Sequence, residues 1–154
     1  MSLMLSPHFS LAELTVTDTG LPNEPNDLEL GRLHTLAQEL ELVRAVLGGH
    51  PMHVTSGFRS EAVNKAVGGV PNSAHRLGFA ADFVCPGFGD PRAVCHAIDA
   101  AAKAGRLKPD QLILEQLPNP TWTHYGRRFT SEGDPPRMQR LTKLADGSYA
   151  SGIR

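Results

Sequence analysis

The sequence predicts an α+β domain built on a mainly antiparallel sheet flanked by helices. Three observations point there. Helical and β-favouring segments alternate without a regular βαβ period, which argues against a parallel sheet. Two β-rich runs, residues 111–116 and 121–125, flank Leu117-Pro118-Asn119-Pro120, the pattern of an antiparallel hairpin. Leu33, Leu36, Ala37, Leu40, Val43 and Leu47 recur at spacings of three and four, the apolar stripe of a long helix.

Each element has its own signals. Ser10-Leu11-Ala12-Glu13 has the Ser-x-x-Glu form of a capping box and predicts a short helix. Residues 15–26 hold Gly20, Pro22 and Pro25 and read as a loop. The long helix follows, with Asp27 as its cap and Gly48-Gly49 as its stop. Residues 51–55 favour a strand that delivers Ser56-Gly57-Phe58-Arg59 to its end. Ser60 then caps a helix to about residue 67, and residues 70–77 form a loop carrying His75. Residues 79–85 read as a buried strand between Gly78 and Pro86. Asp90-Pro91 is an N-cap followed by proline in the first turn, opening an Ala-rich helix that ends at Gly105. The tail from Thr130 is rich in Gly, Pro, Ser and charge and is expected to be an irregular extension. Within it Asp146-Gly147 is a weak signal for a terminal hairpin.

The 154 residues suit one domain spanning the chain, long enough to bury a sizeable core, and 40% hydrophobic with 20% charged residues is ordinary for a globular protein. A net charge of −1 supplies no field towards nucleic acid or an anionic membrane, and the densest basic run, Arg127-Arg128, is two residues long. No apolar run reaches the length of a membrane span, and no secretion signal is visible at the N-terminus. Residues 1–3 before Met4 have the look of a cloning scar. Cys85 and Cys95 lie in no Cys-x-x-Cys pair and are expected to be buried thiols.

The chemistry concentrates in residues 73–82, Ser-Ala-His-Arg-Leu-Gly-Phe-Ala-Ala-Asp, where an imidazole and a carboxylate stand seven positions apart among small residues. Trp122-Thr123-His124 adds a second imidazole. His75, Asp82 and His124 make a three-ligand set that leaves one corner of a zinc tetrahedron open, the arrangement of a catalytic zinc. Asp82 sits in an apolar strand, and a buried carboxylate needs a cation, a donor or water; a salt bridge is the competing role. Ser73 is placed to contact the His75 imidazole.

If the hairpin turns at residues 117–120, Glu115 pairs with Trp122 and His124 is the next residue on the same face. Glu115 is then a candidate general base and acid; a slip of one residue would remove it from that face. Arg59 is a candidate to hold a substrate carboxylate bidentately. Ser73 and Trp122 are further candidates to line the substrate pocket, with core packing the alternative for Trp122. His8, His34, His50, His53 and His96 form no ligand-spaced cluster, and no Gly-x-Gly-x-x-Gly, P-loop, His-Glu-x-x-His or Gly-x-Ser-x-Gly motif occurs.

Three blocks together resemble the zinc D-Ala-D-Ala carboxypeptidase family, which includes phage and prophage murein endopeptidases. They are Ser56-Gly57-Phe58-Arg59-Ser60 with Asn64 and Val67-Gly68-Gly69; Ser73-x-His75-x-x-Gly78-x-Ala80-x-Asp82; and Gln111-Leu112-Ile113-x-Glu115 before Trp122-x-His124. The resemblance runs from about His8 to Tyr125. It implies the hedgehog/DD-peptidase fold, one Zn2+ on His75, Asp82 and His124, and an arginine, here Arg59, that binds substrate and polarises the scissile carbonyl. Other members have a Glu two or three residues before the last His, where this chain has Trp122 and Thr121, so Glu115 is the candidate that falls nearest.

The expected activity is zinc-dependent hydrolysis of peptide bonds in peptidoglycan stem peptides. The expected protein is a monomer, cytoplasmic until lysis or a phage particle delivers it to the wall, with no nucleic-acid partner and no membrane insertion. The alternative is a non-catalytic wall-binding or phage structural module of the same fold.

Overall fold

The structure is a computed structural model that describes residues 2–115, 119–127 and 135–154. Met1 of the expected scar, residues 116–118 of the expected turn, Arg128 of the basic pair and residues 130–134 of the tail lie outside them.

A two-stranded hairpin, β1 (Met4–Ser6) and β2 (Phe9–Ser10), leads into the one-turn helix α1 (Leu11–Leu14). Ser10 and Glu13 close the expected capping box at its start. The long helix α2 (Asp27–Val46) is capped one residue earlier than expected, by Asn26, because Asn26 and Glu29 form a second capping box. Strand β3 (His53–Ser56) and helix α3 (Glu61–Ala66), capped by Ser60, follow as read from the sequence. The expected loop at residues 70–77 instead contains a one-turn helix, α4 (Ala74–Leu77), carrying His75. Strand β4 (Ala80–Val84), helix α5 (Pro91–Lys103) behind its Asp90 cap, and the pair β5 (Gln111–Glu115) and β6 (Trp122–Gly126) complete the expected set.

The tail is a correction to the sequence reading. It contains β7 (Gln139–Lys143) and β8 (Tyr149–Ser151), an antiparallel pair around Asp146-Gly147, where an irregular extension was expected. β7 joins the main sheet parallel to β5, giving the order β3-β4-β6-β5-β7-β8 with every other pairing antiparallel.

Alternation along the central strands divides the sheet into a packed face and a working face. Ala81, Phe83, Leu112, Leu114 and Tyr125 face the core, where they share one buried apolar cluster with Leu33, Leu36 and Leu40 of α2 and Val94 and Ile98 of α5. Asp82, Ile113, Glu115, Trp122 and His124 face a cleft on the other side. Cys85 and Cys95 are buried free thiols, as expected. Among the described residues, no helix is long and apolar enough to cross a membrane.

Candidate active site

His75, Asp82 and His124 come from α4, β4 and β6, and their ligand atoms all lie within 4.8 Å of one another. Among the described residues no other group of His, Cys, Asp or Glu gathers this way. The sheet register creates part of the cluster directly, since Asp82 pairs with His124 across β4 and β6. His75 is brought in by α4. Ser73 caps that turn, accepting from the His75 backbone N–H at 3.3 Å, and Gly78 ends it at φ +83°, a conformation that favours glycine. Two contacts through His75 and Arg76 tie α4 to the rest of the fold. The Arg59 N–H donates to the His75 carbonyl at 3.0 Å, while Arg76 pairs with Glu29, which also closes the α2 capping box.

The ring contacts decide what the cluster can hold. His75 Nδ1 lies 2.8 Å from the Gly57 carbonyl, which can only accept, so Nδ1 carries the proton and Nε2 presents a lone pair. That lone pair faces Asp82 Oδ1 at 3.2 Å, and His124 Nδ1 faces the same oxygen at 2.9 Å. The three groups are 4%, 5% and 7% exposed. Burial pushes the His75 pKa below its ordinary value despite Asp82 beside it, so a proton on Nε2 is disfavoured. Burial also opposes the charge on Asp82, but His75 and His124 more than offset it and hold the carboxyl below the usual carboxylate range. An ionised carboxylate facing the Nε2 lone pair of a His75 ring oriented by a backbone carbonyl, with the His124 ring beside it, suits a divalent metal better than a proton. The donor set fits zinc.

Around the cluster lies a cleft of about 1060 Å³ that Arg59, Ser73, Glu115 and Trp122 also line. Arg59 donates from Nε to Ser56 Oγ at 3.1 Å and holds Nη2 3.7 Å from Asp82 Oδ2. Glu115 pairs with Trp122 in the strand register, which places it on the His124 face as the hairpin reading required. It is 8% exposed, and burial raises its pKa above the ordinary value although Lys143 opposes the shift from 3.9 Å. Among the described residues Glu115 Oε2, Trp122 Nε1 and His124 Nε2 are buried without hydrogen-bond partners. Unpaired polar atoms gathered on one wall mark a place where a ligand is received rather than a packed core. Trp122 is half-buried and lines the cleft rather than filling the core.

Ser73 needs a correction. Its hydroxyl holds the backbone of α4, whereas the imidazole of His75 is oriented by Gly57. Sequence reasoning also missed Lys143 and Arg137, which line the cleft from the tail. The five remaining histidines stay outside it; His8, for one, bonds Glu41 on the surface.

Comparison with curated proteins finds no match. A protein-family model described as Peptidase M15 matches residues 7–111, a segment that includes Arg59, His75 and Asp82 and stops before Glu115 and His124. Members of that family are zinc-dependent, and the cluster just described can hold a metal ion. With more than half of its length matched, the chain belongs to the Peptidase M15 family of metallopeptidases.

Proposed function

We propose that the protein is a zinc-dependent peptidase cutting the stem peptides of bacterial peptidoglycan, as a D,D-carboxypeptidase or an endopeptidase. In this reading it has the hedgehog/DD-peptidase fold and is related to phage or prophage lytic enzymes. The observation that carries the proposal is the convergence of His75, Asp82 and His124 with Glu115 and Arg59 on one open cleft.

His75, Asp82 and His124 would hold the zinc. Zinc there supplies Lewis acidity and makes water a competent nucleophile near neutral pH. Glu115 takes the proton of the attacking water on its carboxylate and returns it to the leaving amine as the C–N bond breaks. Its raised pKa suits both halves of that transfer. Arg59 directs its guanidinium at the substrate, where it pairs with a carboxylate or with charge developing on the carbonyl oxygen. Trp122 and Ser73 line the path of the peptide.

The test is to incubate zinc-loaded protein with purified peptidoglycan and identify released fragments by mass spectrometry beside a chelated control. Chelator-sensitive release of defined fragments supports the proposal and names the bond. No release at stoichiometric zinc, with retained binding to peptidoglycan, would replace it with a wall-binding module.

A further inference from the structure

One cation in the cleft has no part in the reaction just described. Lys143 ends β7, and the parallel register that pairs Leu114 with Thr142 brings it level with Glu115. Its Nζ stands 3.9 Å from Glu115 Oε2, outside hydrogen-bond reach, and 5.9 Å from the centroid of the Tyr149 ring on β8. Among the described residues it donates no hydrogen bond. A lysine serving only to neutralise Glu115 would close on the unpaired Oε2. This one is held between a carboxylate and an aromatic face, with its donors uncommitted in a cleft that it lines.

Its place in the sheet matters as much as its contacts. Arg59 follows β3 and Lys143 lies on β7, and the strands between them, β4, β6 and β5, carry Asp82, His124 and Glu115. A peptide laid across the strands over the metal cluster therefore meets a guanidinium at one end and an ammonium at the other. Among the described residues, Asp110 on the same lining is already held by Arg137, through its backbone N–H at 2.9 Å and through side-chain bonds from Nε and Nη2, the shortest 2.8 Å. Both Lys143 and Tyr149 lie beyond the segment that matches the family.

We propose that Lys143, backed by Tyr149, is a specificity-determining residue that binds a second carboxylate of the substrate peptide, across the metal cluster from the one held by Arg59. This rests on the peptidase reading and narrows it to acidic peptides with a free carboxylate away from the C-terminus.

The probes are L-Ala-γ-D-Glu-L-Lys-D-Ala-D-Ala and the same peptide with the Glu α-carboxylate amidated. Values of kcat/KM are measured for the zinc-loaded wild type, Lys143→Met and Lys143→Arg. Kd for both peptides is measured in zinc-loaded Glu115→Gln with and without Lys143→Met. The wild type should prefer the free carboxylate about tenfold, the gain of one charge-assisted hydrogen bond at a partly exposed site. Lys143→Met should lose that preference, with kcat/KM falling about tenfold further for the acidic peptide than for the amidated one, and Lys143→Arg should keep it. Equal losses on both peptides would instead make Lys143 a support for Glu115, and a preference surviving Lys143→Met would remove it from recognition; either overturns the proposal. A wild type that cleaves neither peptide refutes the peptidase reading, and the Kd comparison then decides for Lys143 by itself. A binding preference abolished by Lys143→Met supports it, and no preference, or no binding, overturns it.

Discussion

The Glu115 carboxylate is buried with Oε2 unbonded and the Lys143 ammonium 3.9 Å away, and burial holds its pKa above the ordinary value. A carboxyl whose folded-state pKa is raised binds its proton more tightly in the native than in the unfolded chain. Stability from this group is therefore lost as pH rises from the ordinary carboxylate value through the raised one. Glu115→Gln should accordingly raise Tm by a few degrees at neutral pH, with the gain vanishing below about pH 4, where both states are protonated. The same variant should lower kcat by about 10²–10⁴ while zinc binding persists. Melting curves across pH and single-turnover assays check the two halves; unchanged turnover would remove Glu115 from the proton transfer. For the metal cluster, His75→Ala should abolish both zinc binding and cleavage, and full activity in that variant would sink the ligand assignment. At this scale the sequence was informative because a buried Asp in an apolar strand and an imidazole seven residues earlier leave few inexpensive alternatives. Lys143 was not legible, since one lysine in a polar tail resembles any solvated charge.

α4 shows how elements set the chemistry. A one-turn helix is too short to display periodicity, so residues 70–77 read as a loop; its existence depends on the Ser73 cap and the Gly78 stop. What places it is the chain leaving β3. The Gly57 carbonyl accepts from His75 Nδ1 at 2.8 Å, while a Cβ on Gly57 would stand 2.4 Å from the Leu14 carbonyl oxygen at the end of α1. Backbone cannot yield there as a flexible side chain could. Gly57→Ala should therefore lower Tm and, by displacing that carbonyl, weaken zinc binding by about 10–100-fold in a chelator competition. A lowered Tm with unchanged zinc affinity would show that the carbonyl does not orient the imidazole. The β5–β6 pair behaved differently. Its proline-rich turn and flanking β-rich runs were enough to predict the Glu115–Trp122 register, because hairpin register follows from where the turn lies.

Across the whole molecule, β7 and β8 extend the sheet beyond β5 and add Lys143 and Tyr149 to the cleft, which Arg137, just before β7, also lines. They also protect what they cover. β5 would otherwise be an edge strand, and buried Asp110 and Asp99 would lose Arg137 and Arg140. A chain truncated after Arg127 should lose about 10 °C or more in Tm and self-associate through the exposed β5 edge, which size-exclusion chromatography and thermal melts would detect. A monodisperse truncation of unchanged Tm would show that the sheet is complete without the tail. The sequence by itself determined the α+β class, the long helix, the central hairpin and the residue types able to hold a metal, because periodicity, caps and turns act over a few residues. Only the tertiary structure decided the tail's parallel pairing, the orientation of His75 by Gly57, and the ammonium beside Glu115. Those contacts join segments far apart in the chain, and no local pattern encodes which distant backbone a strand or ring will meet.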